Sequence, residues 1–369
     1  MSRSKVTCLA VLIIFAILSF LGISSSYADP LDNWHIRAPS MAEASLSSIA
    51  YGDGMFVAVG SHSTILTSPD GITWTKRSAN VPGIINFYGI SYGKGCFVAV
   101  GSLSDLVGFP SGFLILTSPD GVNWTAQTSN VPFLLSISYG NGLFIAVGYS
   151  KIAISFDGIS WSYLSRPGYR EAITYANGFF LAIDSRTRIY ASVDGDTWIN
   201  RGAVYGIADL DGISDNNNHL SSLSYGNGIY VAVGGWCDMA VIPMPCRLSA
   251  SSSDLTKWID SSRVFYLGNS LRSVTYGLSN FVAVGQGTIE SSSDGVTWVT
   301  RLSVRDYALN AVAYNNNTFV AVGDGGLILQ SDPVIEPVEV PTLSEWGIML
   351  FAAMAGLAAG LVLNRQTIN

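Results

Sequence analysis

Seven times the chain runs a half-polar segment that ends in Tyr, then a Gly- or Asn-bearing turn, then a short, strongly apolar run: AYGDGMFVAVG, SYGKGCFVAVG, SYGNGLFIAVG, TYANGFFLAID, SYGNGIYVAVG, TYGLSNFVAVG and AYNNNTFVAVG. Apolar runs of this length between turn formers predict buried strands, and the mixed segment before each tyrosine predicts a half-buried partner. The marker tyrosines are Tyr51, Tyr92, Tyr139, Tyr175, Tyr225, Tyr276 and Tyr314, spaced by 41, 47, 36, 50, 51 and 38 residues. Those periods match the roughly 40 to 50 residues of a four-stranded propeller blade. The pattern predicts an all-β, seven-bladed β-propeller.

A third strand and a tight turn into a Trp-led fourth follow each apolar run: SPDGITW, SPDGVNW, SFDGISW, SVDGDTW, SSDGVTW and the degenerate SSDLTKW. Asp-Gly is a strong hairpin signal, because Gly takes a positive φ and Asp can bond the turn backbone. The seventh repeat stops at Gln330-Ser331-Asp332-Pro333 without its Trp strand, whereas DNWHIRAPS around Trp34 stands surplus near the front. The front strand is therefore expected to complete the last blade, removing two open edges that would invite aggregation.

The ends carry different patterns. Residues 1–28 read as a signal peptide, expected as a helix: Arg3 and Lys5 precede an apolar stretch from Val6 to Gly22, and Ser26-Tyr27-Ala28 offers a cleavage site. Residues 29–333 form the propeller, and 334–345 a Pro-bearing extended linker with the sorting motif. Residues 346–363, from Trp346 to Leu363, carry no charge and are expected as a transmembrane helix, with 364–369 on the cytoplasmic side.

Gly 38, Trp 9, Tyr 17 and Phe 16 with only 12% charged residues fit a β-rich chain. Without Arg3 and Lys5 the remaining 17 basic and 26 acidic residues leave −9, and no basic cluster interrupts the body, which speaks against a nucleic-acid partner. Cys237 and Cys246 bracket a Pro-rich loop and are the disulfide candidate, bonded or free. Cys96 takes the place of Met55 and Leu143 in sister repeats and reads as a buried apolar side chain. No metal-type spacing and no cofactor motif is present, and His219 has no partner spacing.

Two resemblances follow from these strings. The SxDGxTW turns resemble the Asp-box, or BNR, repeats of sialidase-like propellers, and the run of blades is similar to the photosystem II assembly factor family. The first implies that Asp70, Asp120, Asp157, Asp194 and Asp294 are fold-stabilising turn residues. The turns lack one residue between Asp and Gly, and the nearest counterpart of the Phe/Tyr-Arg-Ile-Pro signature, Ile36-Arg37-Ala38-Pro39, lies in the closing strand. A sialidase-type reaction would need an arginine cluster, an acid and a Tyr nucleophile. Arg170, Arg272, Arg305 and Glu171 lie in suitable loops, but nothing in their spacing selects them, and no catalytic residue is assigned.

The tail from Val340, with Pro341, Thr342, Leu343, Ser344, Glu345, Trp346 and Gly347, resembles the IPTL-type C-terminal sorting domain of bacterial surface proteins. The resemblance implies a Gram-negative-type envelope, at least transient inner-membrane anchoring, and an exosortase-like processing enzyme as partner. Val340 replaces the usual Ile, and a single Arg365 follows the apolar span.

In a propeller, second-to-third and blade-to-blade connections share one face. Residues 102–113 and 235–247 lengthen the former and 205–221 the latter, so all three are expected on one side, the candidate interaction surface. Candidate binding residues there are Tyr88, Phe109, Tyr169, Arg170, Tyr205, Asp209, Asp211, Trp236, Tyr266 and Tyr307. Exposed aromatics suit peptide or glycan, and rings that only fill the tops of neighbouring blades are the alternative. The expected function is an exported, envelope-anchored, non-catalytic scaffold that presents one face to protein or glycan. The alternatives are a sialidase-like glycoside hydrolase and an assembly factor for envelope or membrane complexes.

Overall fold

The computed structural model describes residues 29–37, 44–104, 110–127, 132–204, 218–237, 245–261 and 270–333. They form an antiparallel β-propeller in which each sequence repeat contributes an inner strand ending in the marker tyrosine, then the apolar strand, then two outer strands. The first repeat shows the plan: Leu46–Gly52, Met55–Gly60, Ile65–Ser68 and Thr75–Arg77, paired in that order.

Local chemistry sets the first hairpin. Both turn residues lie at positive φ in every repeat, from Asp53 at 48° and Gly54 at 74° to Asn316 at 48° and Asn317 at 56°. Such turns match the right-handed twist of the flanking strands and favour Asn, Asp and Gly. The sixth repeat departs from the preference, with Leu278 at 51° and Ser279 at 59°.

The turn brings each marker tyrosine opposite the aromatic five residues on, as in Tyr51↔Phe56 and Tyr139↔Phe144. Their ring centroids lie 4.7 Å apart in both pairs, and Phe56 and Phe144 are fully buried. The fifth repeat has Tyr230 in place of the phenylalanine, where its hydroxyl accepts a 2.8 Å bond from Asn177.

In five of the repeats the marker tyrosine ring sits on the glycine after the preceding marker tyrosine, and Ala176 and Asn315 stand in that glycine's place in the other two. A Cβ built on Gly52 would lie 2.0 Å from Tyr92 Cγ, and one on Gly140 1.9 Å from Tyr175 Cγ. Aliphatic side chains continue the same contact. Val57, Val59 and Ile65 pack with Ile85, Phe87 and Phe97 of the next repeat, so the apolar core lies between successive repeats rather than at one centre.

The ring closes by the same rules. Trp34–Ile36 pairs antiparallel with Ile328–Ser331, with Trp34 opposite Ser331 and Ile36 opposite Leu329. Trp34 Nε1 donates to the Leu31 carbonyl at 3.0 Å, as Trp74 Nε1 donates to that of Gly71 at 2.9 Å. Arg301 holds the front segment, reaching Asp29 at 2.8 Å and Asp32 at 2.5 Å. His35 and Asn33 both bond Asp332, at 2.6 and 3.0 Å. A further apolar cluster joins Ile49, Phe56 and Leu66 to Val320, Val322 and Ile328 across the seam.

The expectation of a seven-bladed propeller with flanking helices is corrected. Among the described residues the strands join into five hydrogen-bonded sheets, three of four strands and two of six. The reason is that Ser162–Ala176 and Val299–Asn315 each run from the outer edge of one repeat into the inner position of the next. The pairs Tyr149↔Tyr169 and Gln286↔Ala308 carry the ladder across those junctions, fusing the third repeat with the fourth and the sixth with the seventh. The helical elements among the described residues are two 3₁₀ turns, and none is long and apolar enough to cross a membrane. The expected signal helix at 1–28 and transmembrane helix at 346–363 lie outside the described residues.

Gly140→Ala is expected to lower unfolding free energy by about 1–3 kcal/mol, the cost of forcing a methyl group into a packed ring contact. Ser279→Gly is expected to raise it by about 0.4–1 kcal/mol by relieving a left-handed non-glycine residue. Urea melts of the two variants beside the parent check both signs.

Candidate functional site

One position in each repeat faces the propeller axis. The inner and second strands stay in register from the tyrosine turn to the fourth residue before the tyrosine, where the pairing slips by one. Leu46 opposes Gly60 and Ser48 opposes Val59, so Ser47 is an extra residue. The same slip leaves out Tyr88, Leu135, Glu171, Ser221, Arg272 and Asn310. A bulge of this kind bends the strand and re-aims one side chain. The glycine that ends the VAVG run makes room for it: a Cβ on Gly60 would lie 2.0 Å from the Ser45 carbonyl oxygen.

All seven bulge residues line one axial cavity of about 360 Å³. Above it lies a wider mouth bounded by Ser45, Ser47, Ser221, Arg272, Asn310 and Asp324. The rim chemistry is sectored, because the seven positions carry different side chains. From the sixth repeat to the first it is polar: the Arg272 guanidinium donates to Asn310 Oδ1, and Asn310 Nδ2 donates to Asp324 at 2.9 Å and to the Leu46 carbonyl at 2.8 Å. Ser45 donates to the same Asp324 oxygen at 2.5 Å. Burial would raise the Asp324 carboxyl, but bonds from Ser45 and Asn310 and the Arg272 charge hold it below the ordinary carboxylate range.

The second and third repeats supply an aromatic sector. Phe133 stacks on Tyr149 at 4.7 Å and 15°, meets Tyr88 edge-on at 5.5 Å and touches Phe113 at 4.8 Å. Glu171 of the fourth repeat stands 3.4 Å from His219 Nδ1 of the fifth. Burial pushes the Glu171 carboxyl up, the His219 contact opposes this, and the charge of Asp184 adds to the rise.

Of the sequence candidates, Tyr88 lines the cavity and hydrogen-bonds Ser102 at 2.8 Å, and Tyr307 is half exposed. Tyr169, Arg170 and Trp236 are described by backbone alone, paired with Tyr149, Asp184 and Cys246. Phe109, Tyr205, Asp209, Asp211 and Tyr266 lie outside the described residues, as does the sorting motif. Cys237 opposes Pro245 in the ladder, and the side chains of Cys237 and Cys246 lie outside what is described. Cys96 is a free thiol whose burial raises its pKa.

Ser45, Asn310 and Asp324 line the mouth without having been singled out, Phe133 and Tyr149 stack in line behind Tyr88, and Glu171 and Arg272 are brought to one cavity that spacing alone did not select. Aligning the repeats on their tyrosines would have found the axial set, since each member lies four residues upstream.

The turn aspartates share one hydrogen-bond set. Asp157 Oδ1 accepts the amides of Ile159 and Ser160, both at 2.8 Å, and the Ser155 hydroxyl at 3.0 Å. Asp70, Asp120, Asp194, Asp294 and the degenerate Asp254 repeat the pattern. For Asp157 the amide bonds from Ser160 and Ile159 lower the carboxyl pKa to about 2. For Asp120 burial opposes the shift, but bonds from Asn123 and Val122 still bring it to about 2. Among the described residues no three His, Cys, Asp or Glu side chains gather as metal ligands.

Comparison with known proteins adds two findings. Residues 340–366 match the IPTL-CTERM motif. Most of the chain superposes on solved propellers: YCF48 bound to D1 peptide (16% identity, 85% of this chain and 98% of that one, TM-score 0.63) and YCF48 from Cyanidioschyzon merolae (17%, 81% and 98%, 0.57). A catalytically inactive virginiamycin B lyase from Staphylococcus aureus with quinupristin matches equally broadly (7%, 82% and 99%, 0.62). At these identities the likeness shows the fold alone. No curated protein matches the chain. The chain is thus a β-propeller carrying a C-terminal IPTL-type motif, which implies an exported protein sorted to the cell surface and processed by an exosortase-like enzyme.

The folded pKa of the turn carboxylates lies below the ordinary value of 3.8, so their contribution is present above about pH 4 and is lost as pH falls toward about 2. Melting temperature is expected to drop over that window, with a shallower drop in a chain carrying Asp120→Asn and Asp157→Asn. Thermal melts from pH 5 to pH 2 check the slope.

Proposed function

We propose that the chain is an exported, envelope-anchored, non-catalytic scaffold whose inserted face binds protein or glycan. Residues 1–28 act in export, 29–333 form the binding body, and 334–345 lead into an apolar segment and a short end at 364–369. That apolar segment tethers the protein at least transiently to the inner membrane before an exosortase-like enzyme acts. The observation that carries the binding reading is the axial cavity and its mouth, with a polar arc around Arg272 and, on the cavity wall, Tyr88 backed by Phe133.

Tyr88, the insertions at 102–113, 205–221 and 235–247, and the exposed Tyr307 belong to the proposed contact surface. The common hydrogen-bond set of the SxDG turns supports the Asp-box reading, in which those aspartates stabilise the fold. A propeller of similar fold bound to a peptide favours protein over glycan as the partner. The hydrolase reading is disfavoured because Arg272 is the one arginine lining the cavity among the described residues, where a substrate carboxylate would call for several.

The purified full-length chain is expected to capture a protein or glycan from an array of envelope proteins and glycans, and deletion of any one insertion is expected to weaken capture at least about tenfold. Hydrolysis of a fluorogenic glycoside well above buffer, or capture indifferent to all three deletions, would contradict this reading.

A further inference from the structure

The seven axial positions carry one acid and one base that do not pair with each other. Glu171, in the fourth repeat, has His219 as its ion-pair neighbour, and Arg272, in the sixth, gives its one hydrogen bond among the described residues to Asn310. Ser221 of the intervening repeat is the axial residue between them, too short to fill the gap. Next to Glu171, on its other side, the axial residues are Leu135 and Tyr88, backed by Phe133.

A cavity of about 360 Å³ is at the small end of ligand pockets. Its wall offers a carboxylate, a guanidinium and an apolar flank in fixed order. An inorganic anion would use Arg272 alone, and either end of a long peptide would use one charge alone. A ligand that satisfies both charges carries an ammonium and a carboxylate, and the small cavity holds it to one short molecule. We infer that the axial mouth seats a small zwitterion, a free α-amino acid with an apolar side chain. Its ammonium meets Glu171, its carboxylate meets Arg272, and its side chain lies toward Leu135 and Tyr88. The Asn310–Asp324–Ser45 network is the positioning layer: Asn310 accepts from the Arg272 guanidinium and is tied to Asp324, which Ser45 also bonds, and the remaining N–H groups of Arg272 are left for the ligand carboxylate.

This rests on the binding reading above and narrows it to one site and one ligand class. Calorimetric titration of the full-length chain at pH 7 with L-leucine, leucine methyl ester and N-acetyl-leucine tests it. L-Leucine is expected to bind with a Kd below about 1 mM. The ester, which lacks the carboxylate, and the acetyl derivative, which lacks the ammonium, are each expected to bind at least about tenfold more weakly. Glu171→Gln and Arg272→Gln are expected to weaken leucine to the same degree.

Equal binding of the blocked derivatives, or no heat from any apolar amino acid, overturns the inference even if a variant folds poorly, because those arms use the parent chain. If leucine fails while the arrays still capture protein or glycan, only the zwitterion site falls; if the arrays are empty as well, the scaffold reading falls with it.

Discussion

The ring depends on one strand. Each repeat buries its apolar faces only against its neighbours, and without the front segment Ile328–Ser331 would lose its outer partner and the apolar cluster that Leu31 and Trp34 cover would open. Trp34–Ile36 supplies that edge by pairing with Ile328–Ser331. The segment is short, and its ladder is reinforced by Arg301, His35 and Asn33, which bind acids on both sides of the seam. His35 donating to Asp332 is the largest cause that holds this carboxylate ionised below the ordinary range. The closing turn also reproduces the indole-to-carbonyl bond of the first four repeats, although its residues come from the opposite end of the chain.

Closure turns a local irregularity into a site. A single bulge would aim one side chain at solvent; seven of them around an axis bring Ser47, Tyr88, Leu135, Glu171, Ser221, Arg272 and Asn310 to one space. Because the backbone device is identical in every repeat, the side chains at those positions are free to differ. The difference produces an acid, a base and an aromatic flank in fixed angular order.

The repeat and its closure were legible in the sequence because short-range chemistry writes them: positive-φ turns select Asn, Asp and Gly, buried strands select FVAVG, and the missing and surplus Trp strands match. The number of sheets was not, since it is settled by whether backbone pairing continues through junctions such as Tyr149↔Tyr169, which side-chain patterns do not encode. The axial residues were visible as letters but not as a set. Glu171 and Arg272 stood among loop residues, and the column four places before each tyrosine carries a different residue type in most repeats; attention to insertion loops favoured aromatics of which, among those with described side chains, Tyr88 lines the cavity. His219 lacked any partner in sequence because Glu171 lies in a different repeat.

Hydrogen–deuterium exchange on the full chain beside one lacking residues 29–37 tests the dependence on closure most directly. The account predicts that amides of Phe319–Val322 lose protection together with the apolar strands of distant repeats, such as Phe144–Val147, because the ring opens as a unit. Loss confined to residues 318–331, with full protection retained elsewhere, would show that the front strand only covers an edge and that the ring stands without it.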